Sequence, residues 1–286
     1  MMDKSLTKEI KKPNRISLRF RTLGVLCAAS ILVLAIFISG MLMDPASWEV
    51  NFQAKNRAPS PAYLFGTDWL GRDMFARTIK GLTTSIVVGV TASAVSTIMA
   101  VILGIAAAVL GRKTDAVISR LVDLFLSIPH LILLMLISIV VGKGLLGVLI
   151  GVAATHWTSL TRVIRAEVLA LKTQPYIAVA KALGKGPLWI AGRHMVPHIV
   201  PQFIVGLVLL FPHAILHEAS ITFLGFGLSP EQPAIGVILS ESMRYLSAGM
   251  WWLAVFPGLC LLVVVLLFDA IGENLRLLLN PGTAQS

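Results

Sequence analysis

Six long apolar stretches constrain the fold of this 286-residue chain more than any other feature. They run over 22–43, 81–110, 121–141, 144–160, 199–224 and 250–271. A helix that crosses a lipid bilayer needs about 20 mostly apolar residues, and backbone groups inside lipid must be hydrogen-bonded within the chain. Because the stretches lack the alternation of barrel strands, they predict an all-α membrane protein with six transmembrane helices.

The composition supports the same conclusion. The chain is 56% hydrophobic and 13% charged, which is more apolar than one soluble core of this length can hide. Its formal net charge of +10 does not indicate a nucleic-acid partner, because the basic residues form blocks between apolar stretches without interleaved aromatic residues. We therefore expect the lipid bilayer to be the main environment of the chain.

The basic blocks predict its orientation, since Lys and Arg concentrate in cytoplasmic segments. The two largest blocks, before the first stretch and in the fourth connection, contain Lys4, Lys8, Lys11, Lys12, Arg15, Arg19, Arg21, Arg162, Arg165, Lys172, Lys181, Lys185 and Arg193. Both termini of this multi-pass cell-membrane protein are therefore expected in the cytoplasm. The predicted parts are a cytoplasmic tail (1–21), a first helix (22–43), an extracytoplasmic segment (44–80), a five-helix core (81–272) containing a cytoplasmic loop (161–198), and a cytoplasmic tail (273–286).

The loop 161–198 contains signals for a short helix of its own. Pro175 suits the first residue of a helix, and Gly184 suits the position just after the end of one. Between them, four residues spaced i, i+3, i+4 and i+7 form one apolar face, while Lys181 points elsewhere. The face consists of Tyr176, Val179, Ala180 and Leu183. On periodicity alone, this helix is either a simple surface connection or a docking element.

The same loop resembles the EAA loop of ABC importer permeases, whose pattern is Glu-Ala-Ala, three residues, Gly, nine residues and Ile-x-Leu-Pro. The aligned residues here are Ala178, Val179, Ala180, Lys181, Ala182, Leu183, Gly184 and Pro197, of which Ala180, Gly184 and Pro197 match the pattern strictly. The spacing fits throughout, although Ala178 replaces the Glu and Val179 the first Ala. His194 and Val196 stand where Ile and Leu are usual.

A second motif lies between the first two apolar stretches. It is similar to the GTDxxGRDxxSR segment of the C-type permeases of dipeptide, oligopeptide and nickel importers, with Ala76 in place of the Ser. Its matching residues are Gly66, Thr67, Asp68, Gly71, Arg72, Asp73 and Arg77. Further collinear matches extend the resemblance over about residues 20 to 276.

The resemblance implies a type I ABC importer permease fold, in which the helix near Tyr176 to Leu183 couples the pore to an ATPase. It implies four partners: a second homologous permease subunit, two cytoplasmic ATP-binding subunits and an extracytoplasmic substrate-binding protein. No GxxxxGK[ST] loop occurs in the sequence, so the chain is not expected to be an ATPase, and because no HExxH or GxSxG motif occurs either, no other enzyme activity is expected. No cofactor is expected. The expected cargo is a short peptide, nickel or a metal chelate.

Three ionisable residues interrupt the fifth apolar stretch. His213 and His217 share one face of the predicted helix, and Glu218 lies about 100° around from His217. Ionisable residues inside a membrane usually face a bundle interior or an aqueous path. They are expected either to line the pathway, where imidazoles contact a metal complex, or to form structural hydrogen bonds between helices. The alternative function is a self-sufficient ion-coupled carrier or channel using these three residues.

Two other histidines are expected near the ends of predicted helices. His130 follows Pro129 and is expected to start a helix at a kink. His156 and Trp157 are expected at the cytoplasmic boundary of the fourth helix, as an interfacial anchor.

Overall fold

The computed structural model describes residues 15–279, and this part of the chain is helical with no β-strand. An isolated bridge between Thr67 and Asp73 is the one β-type pairing described. The helices are α1 (Arg15–Leu42), α2 (Met74–Val109), α3 (Arg112–Ser127), α4 (His130–Val141), α5 (Leu145–Leu171), α6 (Pro175–Ala182), α7 (Pro187–Ile190), α8 (Val196–Phe223), α9 (Ile235–Leu246) and α10 (Trp252–Leu279). The all-α fold class is therefore confirmed. Residues 1–14 of the predicted N-terminal tail and residues 280–286 of the predicted C-terminal tail lie outside the described residues.

Four helical segments are long and apolar enough to cross a membrane: Arg19–Leu42, Met74–Val109, Pro187–Phe223 and Trp252–Leu279. The pair α3 and α4 gives a fifth crossing if its two halves are counted together. Helix α5 is long enough but does not meet the same criterion, because polar and charged side chains fill its second half. The predicted count of six is therefore not fully reached by length and composition.

The third predicted helix, over 121–141, is broken into two, because α3 and α4 meet at an angle of 98°. Pro129 lies at this break and has no N–H to donate to the preceding turn. Ile128 before it takes an extended conformation, as residues before proline prefer. His130 is the first residue of α4, so the predicted helix start at a kink is confirmed.

Other boundaries shift because amphipathic helix ends extend beyond the apolar stretches. Helix α5 continues past 160 to Leu171, so only residues 172–174 separate it from α6. The loop predicted over 161–198 is correspondingly shorter. Helix α2 begins at Met74, inside the predicted segment 44–80, and the short helix α9 was not predicted.

Helix α2 lies at the centre of the bundle and packs against α5 and α8. Glycines at these contacts allow close approach of neighbouring side chains. A Cβ atom built on Gly89 would lie 2.7 Å from the Phe211 ring, and one built on Gly104 would lie 2.7 Å from Cγ2 of Ile164. Small residues at helix contacts are the usual means of packing in membranes, where apolar burial drives association weakly.

Substituting Gly104 tests this packing. We expect Gly104→Val to destabilise the chain by about 1–3 kcal/mol, since the side chain would overlap buried Ile164 and the Thr161 carbonyl. Thermal unfolding in detergent measures the effect. Gly24→Val is the matched control, because no atom lies within 4 Å of a Cβ at Gly24 in helix α1. Equal melting temperatures for the two variants would contradict the close α2–α5 contact.

Candidate functional site

Helix α6 has the predicted boundaries, since it begins at Pro175 and ends at Ala182. Gly184 follows with φ of +75°, a left-handed conformation that favours glycine. The Gly184 N–H donates to the Lys181 carbonyl at 2.9 Å, and the Lys185 N–H donates to the Ala180 carbonyl at 3.1 Å. This is a Schellman ending, in which the carbonyl groups of the last turn are satisfied and the chain reverses sharply.

The faces of α6 differ from the predicted pattern at one residue. Ile177 and Ala180 are buried in a cluster with side chains of α5, α7 and α8. Tyr176, Val179 and Leu183 are exposed, with Val179 at 59% and Leu183 at 72% of their maximal area. Ala180 therefore belongs to the anchoring face and not to the exposed apolar face. The exposed face consists of Tyr176, Val179 and Leu183.

The segment after α6 adds aromatic groups beside this face. His194 lies with its ring 5.8 Å from that of Tyr176 and 5.6 Å from that of Trp189. Ala178, Lys181 and Pro197 are exposed. The EAA-like residues are thus brought to one end of the bundle, which we call the α6 end. The N-terminus of α2 and helix α9 lie at the other end, which we call the α9 end.

The second motif forms a charge cluster at the α9 end, made of Asp68, Arg72, Arg77 and Glu241. Oδ2 of Asp68 accepts from Nε of Arg72 at 2.6 Å and from Nη1 of Arg77 at 2.8 Å. Oε2 of Glu241 in α9 accepts from Nη2 of Arg72 at 3.2 Å and of Arg77 at 2.9 Å. The Asp68 side chain is fully buried. Two carboxylates and two guanidinium groups therefore join the segment before α2 to α9.

The other motif residues shape the turn that presents Asp68. Its Oδ1 also accepts the backbone N–H groups of Leu70 and Arg72, both at 2.9 Å. Gly66 and Gly71 have φ of +71° and +77°, and the Asn51 carbonyl occupies the space of a side chain at Gly71. Thr67 and Asp73 complete the turn: buried Thr67 donates to the Ala54 carbonyl, and Asp73 caps α2 by accepting from the Phe75 N–H. Within the described residues, all seven motif positions thus have a structural explanation.

The middle of the bundle contains a cluster that the sequence did not predict, made of His130, His156 and His217, which we call the imidazole cluster. These residues come from α4, α5 and α8. Each offers one nitrogen atom, and the three atoms lie within 4.8 Å of one another. The ring centroids are 4.5 to 5.1 Å apart. The three rings border one cavity of about 440 Å³ that is also lined by His213.

His156 does not lie at a boundary, which corrects the prediction of an interfacial anchor. It is 8% exposed and Trp157 is 2% exposed, so both side chains are buried inside the bundle. Both residues lie in the middle of α5, which extends three further turns past the predicted end at 160. No spacing in the sequence could reveal the cluster, since its residues are far apart in the chain. The one local signal was His130 at a helix start, beside a proline break.

Glu218 is separated from the cavity that His213 and His217 line. It is fully buried, and its Oε2 accepts from Oγ of Ser85 at 2.7 Å, while Oε1 accepts from Oγ1 of Thr222 at 3.0 Å. The Ser85 bond joins α2 to α8, and the Thr222 bond lies within α8. The geometry of Glu218 matches the structural interpretation, a hydrogen-bond set between helices.

Neutralising Asp68 tests the charge cluster. We expect Asp68→Asn to destabilise the chain by about 3 kcal/mol, because the buried Arg77 and the mostly buried Arg72 each lose one of their two carboxylate partners and share only Glu241. Glu273→Gln is the control, since the Glu273–Arg276 pair is about half exposed and its loss costs at most about 1 kcal/mol. Thermal unfolding in detergent separates the two variants. A melting temperature of the Asp68 variant equal to that of the control would contradict a stabilising role.

Comparison with known proteins places this architecture in a family. Residues 100–279 match the binding-protein-dependent transport system inner membrane component family. The chain is 33% identical over 274 residues to the dipeptide transport system permease protein DppC of Alkalihalophilus pseudofirmus, covering 96% of this chain and 88% of the relative. It is 31% identical over 269 residues to the oligopeptide transport system permease protein OppC of Bacillus subtilis, covering 92% and 88%. The chain therefore belongs to this family of integral membrane ABC importer permeases.

Proposed function

We propose that this chain forms half of the translocation pathway of an ATP-driven importer and couples that pathway to a separate ATPase through α6. The observation that carries the proposal is the exposed apolar face of Tyr176, Val179 and Leu183. A helix of eight residues that leaves three large apolar side chains uncovered is suited to insertion in a groove of another protein. The proposed occupant of this face is a cytoplasmic ATP-binding subunit.

The opposite face of α6 is suited to transmit force. Ile177 and Ala180 are buried against those parts of α5 and α8 that lie at the α6 end, and only residues 172–174 connect α6 to α5. Nζ of Lys172 donates to the Ala108 carbonyl at 2.7 Å, which fixes this connection to the end of α2. Movement of α6 by a partner would therefore displace packed helices and not a loose loop.

The orientation follows from the basic residues. Lys181, Lys185 and Arg193 are exposed on α6 and in the segment that follows it, and this concentration of positive charge favours a cytoplasmic location. Both termini would then be cytoplasmic, and the charge cluster at the α9 end would face the extracytoplasmic side of the cell membrane. A second homologous permease subunit, a second ATP-binding subunit and an extracytoplasmic substrate-binding protein complete the proposed importer.

The proposed cargo is a short peptide or a metal complex such as a nickel chelate. Peptide cargo is supported by the names of the relatives, which are dipeptide and oligopeptide permeases. Metal-complex cargo is supported by the histidines that line the central cavity, including the predicted pair His213 and His217.

Changing Leu183 tests the coupling. We expect Leu183→Asp to lower ATP-driven uptake by about tenfold or more, since burying a leucine in a partner contributes roughly 1.5–3 kcal/mol and each 1.4 kcal/mol is tenfold in affinity. The same loss is expected in co-purification of the ATP-binding subunit. Leu183→Met is the matched control, because it keeps an apolar side chain of similar size. It should retain both ATP-driven uptake and co-purification of the ATP-binding subunit.

Two outcomes would contradict the proposal. Wild-type uptake by the Leu183→Asp variant would show that this face of α6 is not the coupling surface. Uptake by the purified chain alone in vesicles, without ATP or an ATP-binding subunit, would support the ion-coupled carrier instead.

A further inference from the structure

The imidazole cluster contains a buried nitrogen atom without a partner. Of the side-chain atoms in residues 19–279, Nε2 of His156 and Oγ of Ser93 are the two buried ones that lack a hydrogen bond. His156 itself is more than nine-tenths buried. A buried polar atom is normally satisfied, so an orphan nitrogen beside two other imidazoles points to a ligand.

The other nitrogen of His156 is fixed by the backbone. Nδ1 lies 2.9 Å from the Val152 carbonyl, and because a carbonyl oxygen only accepts, Nδ1 carries the proton. The neutral ring therefore has its lone pair on Nε2. Histidines that ligate metals usually donate their second ring N–H in this way, which fixes both the tautomer and the ring orientation. His156 is thus oriented as a metal ligand.

The three nitrogens must move closer together to bind one first-row transition metal. Three imidazoles on one face of an octahedral complex, with metal–nitrogen bonds of about 2.1 Å, place the nitrogens roughly 3.0 Å apart. The three nitrogens already lie within 4.8 Å of one another. Three imidazoles without a carboxylate favour nickel, copper, cobalt or zinc over magnesium and calcium, which prefer oxygen ligands.

Charge balance favours a metal bound in an anionic chelate over a free dication. Three neutral imidazoles leave a dication with its full charge inside the bundle, where an uncompensated charge is costly. The buried carboxylate of Glu218 is committed to Ser85 and Thr222 and does not border the cavity. A metal bound in an anionic chelate brings its own compensating charge. The cavity of about 440 Å³ has room for such a complex, and Ser159 and Gln202 in its lining can donate to carboxylates.

We propose that His130, His156 and His217 form a transit site for a transition-metal dication carried in an anionic chelate that leaves coordination positions open. The site deepens the proposed function, since it assigns a cargo class to the central cavity of the permease. It differs from a resident metal centre in one respect: the cavity beside the three rings accommodates the chelate together with the metal.

Binding of a neutral nickel complex tests the site. The full-length chain, purified with its partner subunits through a tag without histidines, is titrated calorimetrically in the absence of nucleotide. The probe is nickel iminodiacetate, a neutral complex with three open coordination positions. We expect one complex to bind per chain, and His156→Asn to weaken binding by about tenfold or more. Asn keeps a donor near the Nδ1 position, for the Val152 carbonyl, and removes Nε2.

Further variants and probes separate the explanations. His217→Gln is a second cluster variant and should weaken binding similarly, whereas His194→Asn, at the α6 end, should bind as the wild type does. Nickel–EDTA, which has no open position, should not bind. If both cluster variants bind nickel iminodiacetate with wild-type affinity, the three histidines do not form the binding site. If free nickel ions bind as tightly as the iminodiacetate complex, the proposal that the metal is bound as a chelate is wrong. Because no ATP hydrolysis is involved, these results are independent of the coupling test on Leu183.

Discussion

Polar groups in this helical bundle must find their hydrogen-bond partners within the protein, and the rest of the structure depends on this constraint. Lipid offers no replacement partners, so each unsatisfied group is costly. Hydroxyl groups donate to the carbonyl four residues earlier, as Thr78 does to Met74 and Thr161 to Trp157. Others join helices, as Ser96 does by donating to the Ala153 carbonyl across the α2–α5 contact. The same rule explains Glu218, whose two oxygens are both satisfied.

The imidazole cluster departs from this rule, and the unpaired nitrogen of His156 indicates a binding site. His156 satisfies one ring nitrogen with the backbone and leaves the other unpaired among imidazoles. A group that served only to join helices would be saturated, as Glu218 is. His156 and Glu218 are both buried, so burial does not distinguish them. Their hydrogen bonds do: Glu218 is saturated, as a structural contact is, whereas His156 keeps an unpaired nitrogen, as a candidate binding site does.

The sequence predicted those features that depend on neighbouring residues. The apolar stretches predicted the helical class, and Pro175 with Gly184 predicted both ends of α6, because capping is decided within a few residues. Features that depend on tertiary contacts were missed. Ala180 was assigned to the exposed face because periodicity identifies an apolar face but not what covers it. Ile177, which anchors α6, was absent from that face for the same reason.

Long-range contacts account for the rest of what was missed. The 44–80 motif was recognised by resemblance, but the partner of its arginines, Glu241, lies in α9, a helix that was not predicted. Likewise, His156 was assigned to a boundary because α5 was expected to end at 160. The polar second half of α5, stabilised by the pairing of Arg165 with Asp115 on α3, does not resemble a lipid-facing helix.

The exposed face of α6 and the imidazole cluster are physically linked. His156 lies on α5, which precedes α6 in the chain, and His217 lies on α8, which follows α6 after the short helix α7. Metal coordination tolerates deviations of only a few tenths of an ångström in bond length. A relative displacement of about 1 Å between α5 and α8 therefore suffices to make or break three-imidazole coordination. A partner that moves α6 would act on two of the three helices that hold the proposed ligands, which would link the proposed coupling motion to the proposed metal coordination.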